Sequence, residues 1–181
     1  MKLPNAVDRV LLDEETITTR VRELAAQISA DYADPDGLVL VGVLKGAFIF
    51  LADLTRHLTV VHFVDFIALS SYNRATTAAG AVRLIMDTRV NVTGRPVLIV
   101  EDILDTGYTL DYLLRTFLAR GPSSLRTCVL LSKPERRQVQ VPVDYLGFEI
   151  PDVWVVGYGL DYADRFRTLP YIGVLKREVY E

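Results

Sequence analysis

Residues 97–110 read VLIVEDILDTGYTL and set three carboxylates, Glu101, Asp102 and Asp105, beside Thr106-Gly107-Tyr108-Thr109. Ionised carboxylates accept hydrogen bonds from hydroxyls and coordinate hard divalent cations through oxygen. The residues after them suit a different task. Gly107 permits a tight turn, two threonines add hydroxyl donors, and a helix starting there offers free N–H groups and a positive dipole end to an anion such as a phosphate. A plainer reading makes Asp105 or Thr106 a helix cap and leaves Glu101 and Asp102 as solvated strand-end charges. For a lone Asp-x-Gly that reading would win. Here two adjacent acids, a third acid and a Gly/Thr loop fall together, and the anion site is the better account. Why three carboxylates should stand beside an anion site is the question the chain poses.

The elements that must position this loop follow from patterning. The run 96–101 is a continuous apolar strand bounded by Pro96 and the acids, and Leu110, Leu113, Leu114, Phe117 and Leu118 recur at helical spacing up to Gly121-Pro122. The loop therefore sits at the carboxyl end of a strand, where open α/β sheets bind their ligands. Upstream, Ile17, Val21, Leu24, Ile28 and Tyr32 mark a helix with Thr16 as its expected N-cap and DPDG as its stop. Segment 38–44 reads as a buried strand, 47–58 as a helix, 60–69 as a strand, 70–80 as a polar loop and 81–87 as a short strand. Further strands are expected at 124–132, 143–150, 153–159 and 171–175. Strands without strict polar alternation, interleaved with helices, predict a mostly parallel sheet covered on both faces. No linker or repeat divides residues 1–181, so a single α/β domain is expected.

Bulk properties narrow the function. The chain has 181 residues, is half hydrophobic and carries a net charge of −3, which argues against a general nucleic-acid binder. No run approaches a membrane span and the first residues lack a signal-peptide core, so a cytoplasmic protein with no membrane partner is expected. Cys128 stands alone in an apolar run and reads as a buried thiol. Gly42-Val-Leu-Lys45-Gly46 has the wrong spacing for a nucleotide P-loop, and Gly157-Tyr158-Gly159 lacks the third glycine of a dinucleotide fingerprint. His57 and His62 have no Cys/His cluster around them, which removes zinc, and no Gly-x-Ser-x-Gly elbow points to a hydrolase.

The segment 97–110 resembles the signature of the phosphoribosyltransferases, which bind 5-phospho-α-D-ribosyl 1-pyrophosphate (PRPP). The likeness extends in order through VGVLKGAFIFLADL (41–54), SSY (70–72), LLSKPERR (130–137), VPVDYLGFEIPD (141–152) and VVGYGLDYADRFRTLPYIG (155–173), and places the chain with the hypoxanthine-guanine branch. The resemblance implies the type I fold of that family, a Rossmann-like sheet flanked by helices with a small hood formed by the terminal segments. It also answers the opening question: the loop would hold the 5-phosphate, while Glu101 and Asp102 would face the ribose hydroxyls, directly or through Mg²⁺.

Further roles come from the same resemblance. Asp105 matches the catalytic general base, and Thr106, Gly107, Tyr108 and Thr109 match the phosphate loop. Lys45 and Gly46 match the pyrophosphate loop, where the family carries a non-proline cis peptide, and Arg167 matches the arginine that reaches the same group. Asp161 matches an acid facing a second magnesium and lies near the purine. Lys133, Trp154 and Val155 would form the base pocket. An ammonium is donor-only, so Lys133 suits the O6 of hypoxanthine or guanine and meets donor with donor at adenine. Ser71 and Tyr72 match a mobile lid. Mg²⁺ is the implied cofactor, and a homodimer or homotetramer the implied assembly.

Two positions depart from the family pattern: Tyr108 inside the phosphate loop, and Val153 before the stacking aromatic. A rival function on the same fold is an RNA-binding regulator resembling the pyrimidine-operon attenuators. The acidic net charge and the complete purine pocket weigh against it. A xanthine-preferring transferase is the closer rival.

Overall fold

Apolar runs that are buried along nearly their whole length need cover on both sheet faces, and the chain supplies it. The computed structural model describes residues 4–32, 37–71 and 82–180. In chain order the elements are β1 (Val7–Leu12), α1 (Glu14–Asp31), β2 (Leu38–Leu44), α2 (Phe48–His57), β3 (His62–Ser71), β4 (Val82–Met86), β5 (Pro96–Leu104), α3 (Tyr108–Leu118), β6 (Ser124–Ser132), β7 (Tyr145–Glu149), β8 (Val155–Val156) and β9 (Ile172–Leu175). A six-stranded sheet has the order β4-β3-β2-β5-β6-β7, parallel except for β4. Alternation along the central strands sorts the core. Leu38, Leu40, Leu98, Val100, Cys128 and Leu130 pack with α1 and α2, whereas Val39, Val41, Val97, Ile99 and Val129 pack with Leu110, Leu113 and Phe117 of α3. This is the mostly parallel, helix-covered sheet that the sequence predicts.

A second sheet, β1-β9-β8, is antiparallel and joins the two ends of the chain. It is the hood implied by the family resemblance. Its strands explain where the sequence reading departs from the structure. β1 was not expected, because its residues carry charges and only Val7 is fully buried. The segment 153–159 holds a two-residue strand only, since Gly157 and Gly159 take positive φ and turn the chain away.

Two boundaries also move. The N-cap of α1 is Asp13, not Thr16: the Asp13 carboxylate accepts a 2.8 Å bond from the Thr16 N–H, which lowers the carboxyl's pKa. Strand β5 runs on past the acids to Leu104, so Glu101 and Asp102 lie within it. Pairing to β6 continues through Ile103 and Leu104, and that ladder is what extends the strand.

Candidate active site

The parallel strands β2, β5 and β6 bring their carboxyl ends to one edge of the sheet, where the loop after β8 meets the loop after β2 at Gly46. At the centre stand the two acids of β5. Glu101 is 7% exposed and its Oε2 has no hydrogen-bond partner among the described residues. Burial first, and then the charge of Asp102, push the Glu101 carboxyl well above the usual range; burial raises Asp102 as well. Two adjacent, poorly solvated carboxylates repel, and such a pair gains from a cation or a set of hydroxyls.

The turn after β5 places Asp105 to Thr109. Gly107 sits at φ 97°, and no side chain caps α3, so neither Asp105 nor Thr106 serves as the cap that the plainer reading assigned. The loop is braced from behind. Thr106 carbonyl oxygen accepts from the N–H of Gln138 and Val139 at 2.9 and 3.0 Å, and a Cβ on Gly107 would collide with the Val139 carbonyl. Tyr108 is the first residue of α3 and is partly buried, so this departure leaves the loop's backbone path intact.

Asp105 is engaged by Arg136, whose Nε lies 2.6 Å from Oδ1. Arg136 also lies 3.5 Å from Asp152, and Asp152 in turn lies 3.5 Å from the Lys133 ammonium. Lys133 is 8% exposed and is fixed by its own N–H to the Leu104 carbonyl. An acid–base chain thus connects Asp105 to the residue expected to read the base. Arg137 anchors the same segment, donating to Ser132 Oγ at 2.9 Å and to the Asp105 carbonyl at 3.2 Å. Trp154 is 48% exposed, next to Val155, which is buried and paired with Val174 of β9.

The side expected to meet pyrophosphate is assembled from distant loops. The peptide bond between Leu44 and Lys45 is cis. Gly46 presses on Asp102 so closely that a Cβ there would overlap its carboxylate, and a Cβ on Gly159, at φ 102°, would strike the Gly46 carbonyl. Only glycine fits this double approach. Arg167 donates to the Gly159 carbonyl at 2.8 Å and pairs with Asp161 at 2.7 Å and Asp164 at 3.0 Å. Lys45 pairs with the same Asp164 oxygen at 3.0 Å.

The structure therefore gathers Glu101, Asp102, Asp105, Lys45, Gly46, Asp161 and Arg167 around the β5 turn, with Lys133 reaching it through Asp152 and Arg136. Ser71 ends β3, opposite Val82 in the backbone register. Tyr72 and the loop it opens lie outside the described residues. Among the described residues no three acidic, histidine or cysteine side chains form a metal cluster, so Glu101, Asp102 and Asp161 do not make one cage. Arg136, Arg137, Asp152 and Asp164 were given no role from sequence. The pair of arginines three residues after Lys133 was the available signal, since cations beside a triad of acids need partners.

An acid pair on β5, a glycine turn opening α3 and the cations Lys45 and Arg167 are thus carried on a mostly parallel sheet of the type I phosphoribosyltransferase kind. Residues 10–163 match the family model described as phosphoribosyl transferase domain. The hypoxanthine-guanine phosphoribosyltransferase of Bacillus subtilis is 47% identical over 175 residues, covering 97% of each chain. That of Dictyostelium discoideum is 48% identical, covering 95% of this chain and 97% of its own. Hypoxanthine phosphoribosyltransferase from Trypanosoma cruzi, solved in complex with the product IMP, superposes with a TM-score of 0.92 at 44% identity, covering 99% of this chain and 100% of that one. The chain belongs to the phosphoribosyltransferase family, in its hypoxanthine-guanine branch.

Proposed function

We propose that the protein transfers the 5-phosphoribosyl group of PRPP to hypoxanthine or guanine, releasing pyrophosphate and giving IMP or GMP. One observation carries the reading. Two chains of contact, Lys133–Asp152–Arg136–Asp105 and Arg167–Gly159–Gly46–Asp102, converge on the carboxyl end of β5 and the residue after it. The first reaches the base, the second the leaving group, and the sugar lies where they meet.

Each residue has a task its chemistry fits. The N–H groups at the start of α3, with Thr106 and Thr109, hold the 5-phosphate. Glu101 and Asp102 accept from the ribose hydroxyls. Lys133 donates to O6 of the base, Trp154 stacks on its ring and the Val155 backbone meets its edge, with Asp161 near the purine. N9 attacks C1 of the ribose, the bond from C1 to the pyrophosphate oxygen breaks with its electron pair on that oxygen, and Asp105 takes the proton from N7. Lys45, the backbone at Gly46 and Arg167 hold the departing pyrophosphate, and donors aimed at charge that develops late lower the barrier most. Ser71 and Tyr72 would close over the site and exclude water.

The unpartnered Oε2 of Glu101 beside Asp102 fits Mg²⁺, which takes one or two carboxylates and completes its shell with phosphate and water. Glu101 and Asp102 would hold one ion and Asp161 would face a second, and the metal's chemistry is to offset charge on the leaving pyrophosphate. A homodimer or homotetramer is supported by Phe63 and Val64 of β3 and Ile85 and Met86 of β4, exposed on both faces of the sheet margin. Among the described residues no helix is long and apolar enough to cross a membrane, and a cytoplasmic salvage enzyme, acting as one domain over residues 1–181, fits that.

The test is direct: purified protein with PRPP, Mg²⁺ and hypoxanthine, guanine, xanthine or adenine in turn. Nucleotide should form with the first two and not with adenine. No product from either 6-oxopurine would overturn the assignment.

A further inference from the structure

The turn Arg177–Val179 and Tyr180 beside it touch the residue expected to stack on the base. Tyr180 lies face to face with Trp154, with ring centroids 5.3 Å apart and planes 24° from parallel. Tyr162 meets the same indole at 5.9 Å and 85°. Tyr162 also donates its hydroxyl to the Val179 carbonyl at 2.8 Å, which ties the C-terminal turn to the loop that carries Asp161 and Arg167. The turn itself is fixed to the hood: Lys176 N–H bonds to the Ala6 carbonyl, and Val179 and Tyr180 pack with Tyr162 and Phe166 against Val7, Val156, Tyr171 and Leu175.

We infer that Tyr180 is a positioning residue for the purine, backing Trp154 so that the indole presents its open face to the base. This rests on the purine-pocket reading above. An indole that is about half exposed and held only by its backbone could swing about χ1 and χ2. One face covered by Tyr180 and a flank held by Tyr162 fix the ring plane before the base arrives. Because Tyr162 joins the turn to the pyrophosphate loop, the bracket also sets the base plane relative to the leaving-group side. Preorganisation of this kind appears as affinity for the base and not for PRPP.

Trp154 is the only tryptophan of the chain, so its fluorescence reports the bracket without labels. Tyr180→Ala, Tyr180→Leu and Tyr180→Phe are compared in the full-length protein, by steady-state kinetics and by iodide quenching of the emission. An aromatic pair of this kind corresponds to about a 3- to 10-fold effect. The expected result is that Ala and Leu raise KM for hypoxanthine and guanine by that factor and leave KM for PRPP within about 2-fold. Phe should retain wild-type values, and iodide should quench Ala and Leu more strongly. If emission changes while KM for the base does not, Tyr180 is only structural and the inference is overturned. Equal rises in both KM values overturn it too. A Trp154→Ala background, in which Tyr180→Ala should add nothing to KM for the base, keeps the test decisive if one variant folds poorly. Wild-type protein that makes no nucleotide from either base would instead sink the pocket reading itself.

Discussion

The two walls of the candidate site are built on different principles. The sugar-phosphate wall is one stretch of chain: β5, its turn and the start of α3 bring Glu101, Asp102, Asp105 and the phosphate loop within nine residues of sequence. The opposite wall is recruited from Lys45, Lys133, Trp154, Asp161 and Arg167 and held by the hood and by ion pairs. In the first wall Glu101 is buried beside Asp102 and lacks a partner among the described residues, whereas each cation of the second meets a carboxylate of the same chain. The difference teaches that the contiguous wall is shaped to wait for its ligand, whereas the recruited wall neutralises itself until ligands displace its internal partners.

The largest effect belongs to the contiguous wall. Asp105→Asn keeps the side chain's shape but removes the proton acceptor, so kcat should fall by about 10²–10⁴ while PRPP binding changes little. Steady-state rates beside direct PRPP titration check this. Equal losses in turnover and in PRPP binding would mean that Asp105 holds the sugar and does not take the proton.

Next comes Lys133, the proposed reader of the base in the recruited wall. Lys133→Met removes a buried charged donor, and hydrogen bonds of that kind are worth about 1.5–3 kcal/mol, or roughly 10- to 150-fold. The loss should appear in kcat/KM for hypoxanthine and guanine together, with discrimination against adenine eroded. A variant that keeps its preference for 6-oxopurines would show that the base is read by other groups.

Charge strain in the first wall makes a stability prediction. Burial and the neighbouring Asp102 raise the Glu101 carboxyl when folded, so the folded state holds a proton that the unfolded state has released. Folding stability from this group is intact below the ordinary carboxylate range and declines as pH rises through the raised folded value. Glu101→Gln should therefore raise the melting temperature of the unliganded protein at pH 8, and that gain should shrink toward pH 4.5. Each kcal/mol relieved corresponds to about 2–4 °C at this chain length. The same variant should lose activity. A gain that is equal at both pH values would rule out charge strain as its cause.

The contrast between the walls also decides what could be read in advance. Strand, loop and helix around residues 97–110 were visible because apolar runs and turn residues report local structure. The centre of the six-stranded sheet followed for the same reason, since β2 is apolar throughout and β5 and β6 each carry a long apolar run. β1 was not visible: its burial depends on β9, more than 150 residues away in sequence, and its own pattern is mostly exposed. The roles of Lys45, Arg167 and Trp154 came from family resemblance, because a surface cation and a core aromatic look the same until a fold assembles them. Asp152 and Arg136 were missed for a related reason. Their meaning lies in a relay between Asp105 and Lys133 that crosses from one loop to another. The glycines at 46 and 159 carry a requirement that only the packed structure reveals, namely the mutual contact of two loops against Asp102.

The smallest expected effect tests the self-neutralised wall most directly. One oxygen of Asp164 takes both Lys45 and Arg167 at 3.0 Å, and these two cations draw its carboxyl below the usual range. Asp164 is 70% exposed, so water and salt screen the pairs and each contributes little. On the proposed reading, pyrophosphate displaces this carboxylate to reach both cations. Asp164→Asn should tighten inorganic pyrophosphate binding by about 2- to 5-fold, read by calorimetry at low ionic strength, and Asp164→Glu should restore much of the wild-type value. Raising salt should shrink the difference, because screening weakens the pairs that the substitution removes. Pyrophosphate binding that stays the same, or weakens, in Asp164→Asn would mean that this carboxylate helps to hold the loop in its binding form and does not stand where the ligand's charge must go.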